Sequence, residues 1–135
     1  MEREKIHIPL EKSRISWPSD WQKLHWKSIE SAYRSSPYFE YYELRLQPLF
    51  DYKPDSLIEH NLKCLQTVLE IIESEAEFSF TDMYQKPGFY PVDYRNSFDP
   101  SGEKIPEFFN PEPYVQVFGT FAPDLSILDL IFNLG

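Results

Sequence analysis

The chain has 135 residues, of which 41% are hydrophobic, 17% aromatic and 26% charged, with a formal net charge of −9 at pH 7. This length predicts one folded domain with its own core, and the single cysteine, Cys64, excludes an intramolecular disulfide and a cysteine-based metal site. The net negative charge disfavours nucleic acid and anionic membranes as main partners, because both would repel the chain.

The first part of the chain predicts a short strand and then a helix. Residues 5–10, "KIHIPL", alternate in polarity and then reach Pro9, which favours an edge strand at 5–9. Ser19 and Gln22 have the spacing of a capping box, so we expect the first helix to begin there. The residues that follow recur at helical spacing and predict its apolar face: Trp21, Leu24, Ile29, Ala32 and Tyr33, with Trp26 widening the stripe.

A second helix is predicted directly after the first. The pattern of the first helix stops at a Ser-Ser-Pro break, where Pro37 suits a first helical turn and Ser36 would be the cap. Pro48 is expected to end this helix near Gln47.

The third helix has the clearest pattern. Ser56 and Glu59 have the spacing of another capping box. The apolar residues after them repeat every three or four positions: Ile58, Leu62, Leu65, Leu69 and Ile72, with Val68 and Ile71 alongside. Three helices joined by short breaks predict a compact helical layer.

Residues 78–113 are rich in proline and aromatic residues and predict a long loop within the domain. "FSFT" at 78–81 has the composition of a short strand. A long loop inside a compact domain is more often functional or partly disordered than incidental. Its aromatic side chains favour packing against something: Phe89, Tyr90, Tyr94, Phe98, Phe108 and Phe109.

The last part of the chain predicts a strand and a final helix. "YVQVF" at 114–118 alternates in a β-rich composition, and Pro123-Asp124 opens the apolar stretch "LSILDLIFNLG". We therefore predict an α+β fold: a helix-rich single domain over 1–135, with three consecutive helices, a small sheet that includes 5–9 and 114–118, and a buried C-terminal helix.

Three polar residues interrupt the final helix. Ser126, Asp129 and Asn133 are spaced by three and four, so they form one narrow stripe on an otherwise apolar helix. The stripe either lines a pocket, with Asp129 as base or ligand anchor, or consists of edge or buried groups that satisfy nearby backbone.

Four further residues are candidates for a site. His25 borders the apolar face of the first helix and is either a catalytic base or a rim residue. Asp93 and Arg95 alternate with Tyr94, so they either clamp a sugar hydroxyl, carboxylate or phosphate, or form a surface ion pair. Gln116, among apolar strand residues, either binds a ligand or faces solvent.

Several motifs are missing from the sequence. No signal peptide is recognisable, and no apolar run approaches the roughly 20 residues of a spanning helix, so we expect a cytoplasmic protein without a transmembrane segment. No two histidines are four residues apart, and we predict no metal site. No glycine-rich phosphate loop or GxSxG elbow is present, which leaves the cofactor unknown.

Two stretches, "DWQKLHWKSIESAYRSSPYFEYY" at 20–42 and "YVQVFGTFAPDLSILDLIFN" at 114–133, resemble motifs of the WbqC-like family. "IHIPLEKS" and "DYRNSF" resemble two further segments of it. The resemblance implies a bacterial protein of O-antigen and other surface-polysaccharide gene clusters, with a sugar or sugar nucleotide as substrate. For some members it implies transfer of an amino acid such as glycine onto a sugar. The positions that match its motifs are His25, Trp26, Tyr33, Pro37, Gln116, Leu125, Ser126, Asp129 and Asn133.

The resemblance leaves two hypotheses open. One is a transferase or accessory protein of polysaccharide biosynthesis, with His25 and Asp129 as catalytic residues. Its substrate-binding residues would be Asp93, Arg95, Gln116, Ser126 and Asn133. The other is a non-catalytic module that binds carbohydrate or protein, or an inactive truncated member, because family members usually carry an N-terminal segment before the strand at 5–9.

Overall fold

The computed structural model describes residues 9–95, 97 and 106–135. Within them, a 3-10 turn at Leu10–Lys12 is followed by helices α1 (Trp21–Tyr33), α2 (Phe39–Leu46), α3 (Pro48–Asp51), α4 (Leu57–Ile71) and α5 (Ile127–Leu134). Extended segments and turns connect them.

The predicted α+β class is wrong, because the described residues contain helices and no sheet. Their β-type pairing is a single antiparallel bridge between Arg14 and Ser56, which fastens the segment before α1 to the start of α4. The predicted strand at 114–118 does not form: the side chain of Gln116 bonds the backbone of Ala122 within the same loop. "FSFT" is not a strand either. Residues 5–8 of the first predicted strand lie outside the described residues.

Helix α1 turns most of the predicted apolar face inward, but Leu24 is exposed and Gln22 is buried. Gln22 does not form a capping box with Ser19. Its buried side chain donates from Nε2 to the carbonyl of Tyr52 at 2.6 Å. The inward positions Gln22, Trp26, Ile29 and Tyr33 are spaced by four, three and four, whereas Leu24 is 66% exposed. The large Trp26 ring sets the buried face, since it packs on Phe39 and Phe50.

The end of α2 and the start of α4 follow local signals, but α2 begins at Phe39 after the cap residue Tyr38 and not at the predicted cap Ser36. Helix α2 ends at Leu46, and Pro48 then begins α3, where its missing N–H costs nothing. Ser56 caps α4 as predicted, because its Oγ accepts from the backbone N–H of Glu59 at 3.5 Å. The side chain of Glu59 does not complete the capping box, since it accepts instead from the Tyr52 hydroxyl.

All five helices contribute to one core, which α5 completes. The Phe132 ring is fully buried and contacts the rings of Tyr33 and Phe39, with centroid distances of 5.2 and 5.1 Å. The C-terminal helix therefore packs on α1 and α2. The buried apolar residues are Trp26, Phe39, Tyr42, Leu46, Leu49, Ile71, Ile131 and Phe132.

The chain forms two compact units. The helical unit comprises the chain up to Glu75 together with Tyr114–Gly135, and the loop unit comprises Ala76–Pro113. The described residues of the loop unit form no helix or strand. Its clearest local feature is a turn in which the N–H of Phe89 donates to the carbonyl of Lys86 at 3.1 Å. Gly88 has a φ of +85° there, as a type II turn requires.

Candidate functional site

Two of the three residues in the polar stripe of α5 face the protein interior, while Ser126 is exposed. Asp129 is 1% exposed, and Asn133 is buried beside it. The side-chain amide of Asn133 donates to the carbonyl of Asp129 at 2.8 Å, and Ser126 caps the helix by accepting from the N–H of Leu128 at 3.3 Å. Two members of the stripe therefore satisfy backbone groups, which was one of the alternatives that the sequence left open.

Asp129 is held by tyrosine hydroxyls. The Tyr114 hydroxyl donates to its Oδ2 at 2.6 Å. Burial raises the pKa of Tyr114, and the hydrogen bond to Asp129 adds to this. The pKa of Tyr33 is raised by burial first and then by the charge of Asp129 and a hydrogen bond to it. Both phenols therefore remain protonated donors at neutral pH, and the carboxylate ties α1 and the Tyr114 segment to α5.

His25 lies apart from this carboxylate. It is exposed on α1, where its ring contacts the edge of Trp21 at a centroid distance of 5.2 Å. No hydrogen bond or ion pair joins the two described residues His25 and Asp129. The structure thus places one catalytic candidate at the surface and the other in the core, and their catalytic roles remain a prediction.

A second histidine that the sequence analysis passed over also lies beside Trp21. His60 contacts the Trp21 ring edge at 6.3 Å, and its Nε2 is 3.8 Å from the sulfur of Cys64. The sequence feature that could have indicated this contact is the spacing of four residues between His60 and Cys64 on α4. Burial raises the pKa of the Cys64 thiol, so this cysteine stays protonated and is a weak nucleophile. Among the residues with described positions, no group of three or more His, Cys, Asp or Glu side chains could hold a metal ion.

Gln116 closes a loop within the helical unit. Its Nε2 donates to the carbonyl of Ala122 at 3.0 Å, and its Oε1 accepts from the N–H of Ala122 at 2.8 Å. Both ends of the amide are therefore engaged by the backbone. The loop that they close includes Gly119, whose φ is +55°.

Asp93 and Arg95 form an ion pair in the loop unit. Arg95 donates from Nε to Asp93 Oδ1 at 2.8 Å, from Nη2 to Oδ2, and from its backbone N–H to Oδ1 at 3.2 Å. Its Nη1 donates to the carbonyl of Gln85 at 2.7 Å. The hydrogen bonds from the side chain of Arg95, and secondarily from its backbone, lower the pKa of Asp93 to about 2. The carboxylate is thus ionised at all ordinary pH values.

This pair borders a depression of about 490 Å³ within the loop unit. The volume falls in the range of about 300–1,000 Å³ that is usual for small-molecule sites. Exposed tyrosine rings dominate the lining, and its two charged groups are paired with each other. The lining residues are Thr81, Tyr84, Gln85, Tyr90, Val92, Asp93, Tyr94 and Arg95.

Two smaller cavities lie beside α1 in the helical unit. Their volumes are about 220 and 70 Å³, below the usual range for small-molecule sites. Both are bordered by Lys23, Phe50 and Asp51. The depression in the loop unit is therefore the stronger candidate site.

The chain belongs to the WbqC-like protein family, whose sequence model matches residues 2–89. The match spans α1–α4 and reaches Tyr84 and Gln85 of the depression, while residues 90–135, with α5 and Asp129, lie beyond it. No curated protein and no solved structure matches the chain. Of the helices that the structure describes, none has the length and apolarity to cross a membrane.

Proposed function

We propose that this WbqC-like protein acts in the biosynthesis of bacterial surface polysaccharides by binding carbohydrate in the depression of the loop unit. The observation that carries the proposal is the group of exposed tyrosines, Tyr84, Tyr90 and Tyr94, around a depression of about 490 Å³. Tyrosine combines an apolar ring face with a polar hydroxyl, and a sugar ring presents C–H faces and hydroxyls in the same way. The family resemblance supports the polysaccharide setting.

Binding is better supported than transfer of an amino acid such as glycine onto a sugar. A transferase needs a base within hydrogen-bond reach of the reacting group. His25 is exposed without a polar partner on α1, and the Asp129 carboxylate is buried beneath tyrosine hydroxyls. Neither observation supports a role as catalytic base, so the transfer step is not part of the proposal.

The test is the binding of purified protein to an array of O-antigen fragments and monosaccharide glycosides, with affinities from titration calorimetry. We expect Tyr84→Ala and Tyr94→Ala each to weaken binding by about tenfold, because a buried aromatic contact is commonly worth more than 1 kcal/mol. The matched control is Tyr41→Ala, an exposed tyrosine on α2, which should leave affinity unchanged. The absence of any binding on the array, or full affinity in both loop variants, would refute the proposal.

A further inference from the structure

We infer that Asp93 and Arg95 are positioning residues that hold the depression in shape, and that the depression prefers an uncharged sugar to an acidic or phosphorylated one. This inference rests on the proposed carbohydrate-binding function. It concerns the charge of the ligand, which the sequence left open between a hydroxyl, a carboxylate and a phosphate.

The guanidinium of Arg95 is already engaged. Arginine recognises carboxylates and phosphates through a fork of parallel N–H donors. In this protein the fork of Nε and Nη2 donates to the carboxylate of Asp93, and Nη1 donates to the carbonyl of Gln85 at 2.7 Å. These bonds use three of the five N–H donors of the guanidinium. An anion that approached the remaining donors would meet a positive charge already neutralised by Asp93, and that carboxylate would repel it.

Among the lining residues that the structure describes, Arg95 has no second cation beside it. Asp93 and Arg95 are the charged residues of this set, and their charges cancel. What remains for a ligand is the tyrosine rings, the hydroxyl of Thr81 and the side-chain amide of Gln85. Such groups hydrogen-bond neutral hydroxylated rings and pack on them, and none of them carries a positive charge to offset that of an anion.

Arg95 also explains how an irregular segment holds these rings in place. Its bond to the carbonyl of Gln85 spans ten residues and closes a loop that contains the turn at Gly88 and the ring of Tyr90. Its guanidinium carbon lies 5.6 Å from the centre of the Tyr84 ring, within cation–π range. The Arg95 side chain thus both closes the loop and contacts the Tyr84 ring that lines the depression.

The charge preference is tested with two sets of probes at equal ionic strength. The neutral set is the methyl glycosides of glucose, galactose and N-acetylglucosamine, and the charged set is glucuronic acid, galacturonic acid and glucose 1-phosphate. We expect the best neutral probe to bind at least tenfold more tightly than any charged probe. Equal or tighter binding of a charged probe would overturn the inference while leaving carbohydrate binding intact. Failure of every probe, together with the absence of binding on the glycan array, would overturn the proposed function itself.

The positioning role is tested by Arg95→Ala, with Lys86→Ala as the control because it removes an exposed cation of the same loop. If Arg95 is a positioning residue, its removal should weaken the binding of neutral and charged probes by the same factor. If it binds the ligand directly, its removal should weaken the binding of the charged probes only. The exchanged pair, Asp93→Arg with Arg95→Asp, should recover part of the neutral affinity. Selective loss of charged probes in Arg95→Ala, or no loss at all, would overturn the positioning role.

The pH profile gives an independent readout. The pKa of Asp93 is about 2 in the folded loop, below its ordinary value, so the ion pair is intact above the ordinary value and is lost as the pH falls through about 2. Neutral-probe affinity should therefore be flat between about pH 5 and 8. A decline of affinity within that window in the wild type would contradict the role of this pair.

Discussion

The helical unit buries several of its large rings between helices, whereas most of the described rings of the loop unit are exposed. Phe39 and Phe132 are fully buried between helices, while Phe80 of the loop unit is 65% exposed. Tyr84 and Phe89 are exposed in the same way. The difference shows that aromatic content alone does not mark a core, because the same residue type serves packing in one region and is free for recognition in the other.

The two units also satisfy their backbones differently. Helices satisfy most of their backbone N–H and C=O groups internally, so the side chains of the helical unit are available for packing. The described part of the loop unit relies on side-chain bonds, such as those of Arg95 to Asp93 and Gln85, and on short turns such as the one at Gly88. Its order should therefore depend on a few polar residues rather than on buried area.

The largest expected effect is on the core. Phe132→Ala should lower the free energy of unfolding by about 3–5 kcal/mol, because it removes a fully buried ring that contacts Tyr33 and Phe39. Phe80→Ala in the loop unit should change it by less than about 0.5 kcal/mol. Urea unfolding followed by far-UV circular dichroism measures both, and equal effects would contradict the contrast between the units.

The next largest effect is expected for Asp129→Ala, which should lower the free energy of unfolding by about 1–3 kcal/mol, because it leaves the part-buried Tyr114 hydroxyl without its acceptor. The control is Asp82→Ala, an exposed carboxylate of the loop unit, which should be neutral. Urea unfolding followed by far-UV circular dichroism measures the free energy of unfolding of both variants. If Asp129→Ala kept full stability, the carboxylate would have no structural role and its catalytic assignment would gain support.

Alkaline pH should affect the helical unit selectively. The folded-state pKa values of Tyr33 and Tyr114 are raised by burial and by Asp129, so their stabilising contribution is complete below the ordinary value of about 10 and is lost as the pH rises through the raised values. The urea midpoint should thus fall above about pH 10. In Tyr114→Phe the urea midpoint should fall less steeply with pH than in the wild type. An identical slope would show that the Tyr114 phenol does not contribute to the pH dependence of unfolding.

Helix caps and breaks could be predicted from the sequence because the residues that form them lie within one turn of each other. The cap of α4 at Ser56 needs only the N–H of Glu59 three residues later, and the break before α3 needs only Pro48. The family was also recognisable, since its motif around α1 and α2 is long and lies within the matched range.

Side-chain partners that no periodicity encodes account for what the sequence did not decide. The sequence left open whether the stripe of α5 lines a pocket or is buried, and Asp129 is buried where Tyr114 and Tyr33 meet it. The alternation at 114–118 indicated a strand, but the amide of Gln116 is used by Ala122 within one loop. The ion pair of Asp93 was foreseen as an alternative, while the bond of Arg95 to the Gln85 carbonyl was not.

The smallest expected effect isolates the loop unit. Gly88→Ala places a side chain on a residue with a φ of +85°, where no atom would clash but the backbone conformation costs about 1 kcal/mol. Because the turn positions Tyr90 but no core residue, sugar affinity should fall about fivefold, the factor that corresponds to this cost, while the urea midpoint of the helices stays unchanged. The matched comparison is Gly119→Ala, a left-handed glycine of the helical unit, which should lower the midpoint slightly and leave affinity intact. If both glycine variants changed the same property, the two units would not divide stability and recognition between them.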